Sequence, residues 1–460
     1  MKLLIKNGLI VNADKSFKAD ILCDRGSIIK IADDIPEDDV EKLIDATDRY
    51  IFPGGIDPHV HMHLPTLAGF SADDFYSGSK AALMGGTTTL IDFVTPTKEE
   101  SLLEALQKRK NEALDSLIDY SFHVSPVRWT STMDEEIKTC IEQEGITSFK
   151  IYMAYKKSIG LEDDIIQKVL KSVGKHGGLV SSHCELGDEI DTLRENFITA
   201  GKTSAEYHPL SRPDYLEAEA VAHLIDMAKK ADCPIYVVHV STQKSFPYIE
   251  QAQNKGQVVF AESCPQYLLL DDSKYQGNFI KTAPYVMSPP LRKKDDNQGL
   301  WKALKSGVVQ TVGTDHCPFT LKQKENGKDN FTKIANGAGG VEHRMTLLYT
   351  YGVLEDRISL NQFVALTSTN AAKIFGLYPK KGVIQEGADA DLLIWNPKKE
   401  QVISAKTHYS LSDNNIFEGF TTIGSPSFVI SKGNVVVKED TLFEEKCKGK
   451  FLKRAKPFIK

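Results

Sequence analysis

No two of the seven cysteines stand in a CxxC pair, and their number is odd, which excludes a disulfide scaffold as the organising device. Free thiols in a reducing compartment are expected instead, and a cytoplasmic location with them. Long hydrophobic runs are missing as well: nothing approaches the ~18 apolar residues of a membrane span. The opening MKLLIKNGLIVNADK is broken by Lys6, Asn7 and Gly8 before a signal-peptide core forms. No basic excess exists either, since 56 Lys and Arg face 62 Asp and Glu for a formal net charge of -6, so no nucleic acid and no membrane surface is expected as a partner. What is present is ordinary: 41% hydrophobic and 26% charged residues in a chain of 460, long enough for a large barrel with an appendage.

Residues 1–52 read as short strands, LLIKNGLIVN and SIIKIA, with turns at Asn7-Gly8 and Arg25-Gly26. From Gly55 to about residue 376 the pattern changes. Compact apolar strands alternate with amphipathic segments such as SGSKAALMGG and EAVAHLIDMAKKA, whose apolar residues recur at helical spacing. Eight strands can be counted: GIDPHVHM, TTLIDFVT, DYSFHVS, SFKIYMA, GLVSSHC, IYVVHVS, VVFAESC and VQTVGTDH. Eight βα units predict an α/β protein built on a (β/α)8 TIM barrel enlarged by loop insertions, with candidates at Glu185 to Arg212, Leu268 to Lys294 and Pro318 to Gly340. After residue 376 the β pattern returns in KGVIQEGADADLLIWNP and SFVISKGNVVVKED, expected to pair with the N-terminal strands. The basic end, CKGKFLKRAKPFIK, has no periodicity and reads as a solvated tail.

In such a barrel the reactive groups belong at the carboxyl ends of the strands. Strand one ends in His59-Val60-His61, strand five in His183, strand six near His239 and strand eight in Asp315, while strand four carries Lys150. His59 and His61 are two apart and share a strand face. One HxH pair is weak evidence, but His183 and His239 arrive at corresponding ends, and imidazole is the commonest protein metal ligand. His63 lies past the strand and suits a loop or pocket role, whereas the histidines at 123, 176, 208, 223, 316, 343 and 408 read as structural or surface residues. In SFKIYMAY the alternation turns Lys150 inward, where a closed barrel offers no solvent. Burial lowers an amine's pKa and frees it as a nucleophile, and reaction with carbon dioxide would give a carbamate whose two oxygens could bridge two cations. Asp315 could ligate metal and accept a proton. Ser71 and Asp74 read as a capping box, and the glycines of NGAGG as loop formers.

The segments PGGIDPHVH, SFKIYMAYK, SHCELGD, YVVHVST, ESCPQYLLLD, MSPPLR, TDHCPF and NGAGGVEHR, in this order, with GADADLLIWNP and DNNIFEG behind them, resemble the dihydropyrimidinases and hydantoinases of the cyclic amidohydrolase superfamily. The resemblance implies a binuclear zinc barrel at 53–376, a small β-sandwich domain formed by both chain ends (1–52 and 377–440), a basic C-terminal tail at 441–460, and assembly as a homotetramer. It implies that His59, His61 and Asp315 hold one Zn2+, that His183 and His239 hold the other, and that Lys150, as N6-carboxylysine, bridges them. Tyr155 would hydrogen-bond the substrate carbonyl and its tetrahedral intermediate, and the backbone groups at Ser288 and Asn336 would hold the ring amide. The implied reaction opens a small cyclic amide, a 5,6-dihydropyrimidine or a 5-substituted hydantoin, to an N-carbamoyl amino acid, by a hydroxide shared between the two ions. Asp315 would move the proton.

Two departures bear on the substrate: Leu186 stands where many relatives have Asn, and the loop HLPTLAGF differs from the usual segment. Leu64, Leu67 and Phe70 in that loop, with Tyr152 to Ile159, are expected to set ring-substituent preference. Allantoinase is an alternative reading, against which the MAYK tyrosine and SPPLR lean. Dihydroorotases usually carry an arginine where His63 stands, and the collapsin response mediator scaffolds lack a complete ligand set.

Overall fold

The computed structural model describes residues 2–457. Eight parallel strands follow one another in chain order around one sheet: β1 (Gly55–Val60), β2 (Thr87–Val94), β3 (Asp119–Val124), β4 (Ser148–Tyr152), β5 (Leu179–His183), β6 (Ile235–Val237), β7 (Val259–Ser263) and β8 (Thr311–Val312). The ring closes where Val60 bridges His316 in parallel and the His61 N–H donates to the His316 carbonyl at 2.8 Å. The expected α/β barrel is therefore present, with all eight strands in the predicted segments. Strands β6 and β8 are shorter than their apolar runs because the backbone leaves the ladder and turns left-handed at His239 (φ 38°) and Asp315 (φ 52°).

The helix Asp163–His176 shows how an outer element forms. Two acidic residues open its first turn, Lys175 and His176 close its last, and Gly177 ends it at φ 78°, each complementing the helix dipole or the left-handed cap. Ile166, Val169, Leu170 and Val173 are buried at helical spacing. The helix Phe75–Met84 starts one turn later than the Ser71/Asp74 expectation: Asp74 is the N-cap and Ser77 completes the box. Ser71 is diverted, accepting from the Leu64 N–H at 2.8 Å and donating to the His61 carbonyl at 3.0 Å.

Strands from both chain ends share one seven-stranded sheet, Leu392–Val402 pairing with Tyr50–Pro53. A four-stranded sheet from residues 3–45 packs on it through Leu3, Ile5, Ile10, Ile21, Ile51, Leu392, Ile394 and Ile430. Lys381 ties this unit to the barrel, its ammonium 2.8 Å from Asp119 and 3.2 Å from Asp389 and also paired with Asp391.

The C-terminal segment departs from the solvated tail expected for it. Leu452 donates to the Tyr120 carbonyl at 2.7 Å, Phe451 stacks on Phe122 at 5.8 Å, and Arg454 is buried with Nε and Nη2 on Ser121 and Ser148. An extended strip with one contact per few residues leaves no periodic signature, so its anchoring is invisible to pattern reading. Residues 458–460 lie outside the described residues. Among the described residues no helix is long and apolar enough to cross a membrane.

Candidate active site

The barrel mouth collects the residues singled out from the sequence. Oδ1 of Asp315 lies 3.2 Å from His59 Nε2 and 3.0 Å from His61 Nε2, and donor atoms of the three all fall within 4.8 Å of one another. Across the mouth, His183 Nδ1 faces His239 Nε2 at 3.0 Å. The two groups adjoin, since the rings of His59 and His239 are 5.4 Å apart and stacked.

Lys150 sits between them. It pairs with Ser181 of β5, is 1% exposed, and holds Nζ 5.1 Å from the Phe93 ring centroid, the same ring that packs against His59 and His61 at 4.7 and 4.6 Å. Burial lowers its amine to about 8, against the opposing pull of Asp315 and Glu262. Burial likewise drives His59 and His239 well below the ordinary imidazole value and lowers His183, and the Lys150 charge lowers all three further. Burial opposes the charge on Asp315, yet His59 and His61 outweigh it and hold the carboxyl below its usual range.

Imidazole nitrogens around a carboxylate form a donor set for a cation. One atom makes the fit specific. Glu262 Oε1 lies 2.6 Å from His59 Nδ1; with Glu262 ionised, the ring proton sits on Nδ1 and the Nε2 lone pair faces Asp315 Oδ1. That nitrogen is buried and has no hydrogen-bond partner among the described residues. A lone pair facing an anionic oxygen in a dry pocket is satisfied by a divalent metal between them.

Three carboxylate and guanidinium groups that pattern reading passed over hold the histidines in place. Glu262 also accepts from the His239 N–H at 3.1 Å and the Tyr236 hydroxyl at 2.8 Å, and burial pushes it up to about 7. Glu185 Oε2 lies 2.7 Å from His183 Nε2 and pairs with the buried Arg212. Burial resists its charge, but Arg212 and His183 hold the carboxyl at about 2. The spacing His183-x-Glu185 repeats the parity of His59-x-His61, so the signal was available for Glu185. For Glu262 the signal was a carboxylate inside an apolar strand, which demands a partner.

Tyr155 stands at φ 60° just past β4, its ring 5.2 Å from that of His183 and 5.4 Å from the Arg212 guanidinium. Left-handed backbone is costly for a non-glycine residue and collects at functional sites. Tyr155, His239 and Asp315 all adopt it. Ser288 and Asn336 meet at the rim, where Ser288 Oγ donates to Asn336 Oδ1 at 2.8 Å. Tyr155 is also hydrogen-bonded to Ser288, so the residues named for substrate contact adjoin the cation donors. The loop after β1 forms a small hairpin, Pro65–Thr66 against Gly69–Phe70. Its tip leaves Leu67 fully exposed, contrary to the expectation that it lines a pocket. Phe70 is half exposed and stacks on His63, with ring centroids 3.9 Å apart.

Comparison with known proteins adds a consistent set of likenesses. A model of the amidohydrolase family matches residues 50–436. The chain is 45% identical over 458 residues to a D-hydantoinase of Geobacillus stearothermophilus, covering 99% of this chain and 97% of that one. It is 40% identical to a dihydropyrimidinase of Rattus norvegicus over 464 residues, covering 99% of this chain and 89% of that one. The crystal structure of a dihydropyrimidinase from Brevibacillus agri superposes with a TM-score of 0.98 at 41% identity, covering 99% of each chain.

Proposed function

The chain belongs to the amidohydrolase family, and from that membership we propose that it hydrolyses the ring amide of 5,6-dihydropyrimidines and 5-substituted hydantoins to N-carbamoyl amino acids. The observation that carries the reading is the meeting at one barrel mouth of His59, His61, His183, His239 and Asp315 around the inward Lys150, with Tyr155 beside them. In this reading His59, His61 and Asp315 would hold one divalent ion, His183 and His239 would hold the other, and Lys150, as a carbamate, would supply anionic oxygens to both. Zinc suits that donor set. Bound there, the ions would supply Lewis acidity, making a water ionisable near neutral pH and polarising the ring carbonyl.

The residues do the rest. Oδ1 of Asp315 faces the two imidazoles, leaving Oδ2 to take a proton from the attacking water as the carbon–oxygen bond forms. The Tyr155 hydroxyl donates to the oxygen on which charge develops. As the ring carbon–nitrogen bond breaks, Asp315 returns the proton to the departing nitrogen, so atoms and charge balance. The backbone at Ser288 and Asn336 holds the ring amide and the N–H of the nitrogen that is not cleaved during this sequence. His63 is stacked on Phe70 where a dihydroorotase would place a cation for its carboxylate, an observation that favours rings without an acidic substituent.

Rates on dihydrouracil, 5-substituted hydantoins, allantoin and dihydroorotate, with metal content measured on the same protein, test the reading. Ring opening of the first two with about two ions per chain is expected. Turnover confined to allantoin, or none in fully metallated protein, would overturn it.

Substituent preference is expected to respond at Phe70 rather than at the hairpin tip. Phe70→Ala removes an apolar wall beside His63 and is expected to change the ratio of rates on a 5-aryl hydantoin and dihydrouracil by ~10- to 200-fold, the scale of 1 to 3 kcal/mol of apolar contact. Leu67→Ala, at a fully exposed position, is expected to change it less. An unaltered ratio in Phe70→Ala removes the loop from the pocket.

A further inference from the structure

One turn of helix outside the chemistry described above contacts both the loop after β1 and the segments that carry Ser288 and Asn336. Leu321–Lys324 lies in the excursion after β8, its start fixed by Thr320 and Gln323 in a reciprocal capping box. Gln323 Nε2 donates to the Phe70 carbonyl at 2.6 Å, reaching the substituent loop. Lys324 points the other way, is wholly buried, and donates to the carbonyls of Val286, Ala335 and Gly337 at 3.0, 3.0 and 2.9 Å.

Burial pulls this amine down to about 7, and the three carbonyls match the three protons of its ammonium form. Two of the carbonyls flank Asn336, and the third stands two residues before Ser288. The Gly337 N–H donates to the Val286 carbonyl at 3.0 Å, and Ser288 donates to Asn336. One buried lysine thus knots together the two backbone segments proposed to hold the ring amide. Space filling alone would favour an apolar side chain, because a buried ammonium is costly unless its protons are used.

We propose that Lys324 is a positioning residue for ring capture, fixing the backbone at Ser288 and Asn336 without touching substrate or the cation donors. The proposal rests on the reading that those two positions hold the ring amide. Its signature is a change in KM that leaves the chemical step and metal retention in place.

The test is steady-state kinetics on dihydrouracil and on its derivative methylated at the uncleaved ring nitrogen, with metal content, for wild type, Lys324→Met and Lys324→Arg. Wild type is expected to show a raised KM for the methylated ring. Lys324→Met is expected to raise KM for dihydrouracil roughly 10- to 100-fold, the scale on which buried carbonyls lose their donor, and to narrow the gap between the two rings. Its kcat should stay within about threefold and its metal content should not change. Equal wild-type KM values for the two rings would remove the reading of Ser288 and Asn336, and the proposal with it. A wild-type KM in Lys324→Met, or a loss confined to kcat or metal, would overturn the role of Lys324 alone. If Lys324→Met is insoluble, Lys324→Arg decides: it keeps the charge but cannot centre three donors on the three oxygens, and a wild-type KM in that variant overturns the proposal.

Discussion

Replacing Lys150 by alanine is expected to give a protein that retains little metal and has lost at least ~10³-fold in ring hydrolysis, because the nucleophile depends on lowering the pKa of water by roughly nine units. The reason lies in the neighbourhood of the side chain. Strand β4 reads Ser-Phe-Lys-Ile-Tyr and supplies no carboxylate of its own. A lysine 1% exposed, lowered by burial to about 8, is present in part as the free amine near neutral pH. Addition of that amine to carbon dioxide would form a carbon–nitrogen bond, release one proton and turn a buried cation into an anion with two oxygen donors. That change of sign matters here, since the unmodified ammonium depresses the basicity of His59, His183 and His239 and would repel any ion they held.

Metal analysis and kcat/KM on Lys150→Ala check the expectation. Partial rescue of both by short carboxylic acids, which could occupy the vacated space and restore the anionic oxygens, would support it. Incorporation of isotopically labelled carbon dioxide into active wild type is the direct measurement. Active, fully metallated enzyme with an unmodified Lys150 amine would end the account.

The parts of this molecule that were legible in the sequence are those with a short period. Alternation along β1 puts His59 and His61 on one face, and compact apolar runs separated by amphipathic segments give the eight strands in order. Lys150 was legible for the same reason, since a closed barrel has no solvent face on which to place it. What escaped depends on pairings between distant positions. Glu262 meets His59 across 203 residues, Arg212 meets Glu185 across 27, and Arg454 finds Ser148 across 306. Strand parity at Glu185 and an apolar strand around Glu262 flag the residue itself, but nothing local names its distant partner until the chain is folded. The hairpin that carries Leu67 into solvent was missed because Pro65–Thr66 and Gly69–Phe70 are two-residue strands, too short for any period to show.

Tyr155→Phe is expected to keep its metal and lose turnover. The hydroxyl is placed to meet charge that appears only as the ring carbonyl is attacked, and removing one such donor costs about 10² to 10³ in kcat, or ~2.7 to 4 kcal/mol. Burial raises the phenol, with Arg212 opposing, so the group stays protonated at neutral pH and acts as a donor throughout. Its place is held from two sides, by Ser288 beside the hydroxyl and by the guanidinium 5.4 Å from its ring. Because Tyr155 approaches His183 through its ring at 5.2 Å, and Glu185 itself makes the contact that orients that histidine, deleting the oxygen is expected to leave the cation donors in place. The expected pattern is a fall in kcat, a KM within a few-fold of wild type, and unchanged metal content. A wild-type kcat in Tyr155→Phe would take the hydroxyl out of the mechanism and leave the stabilisation of the developing charge to the cations alone.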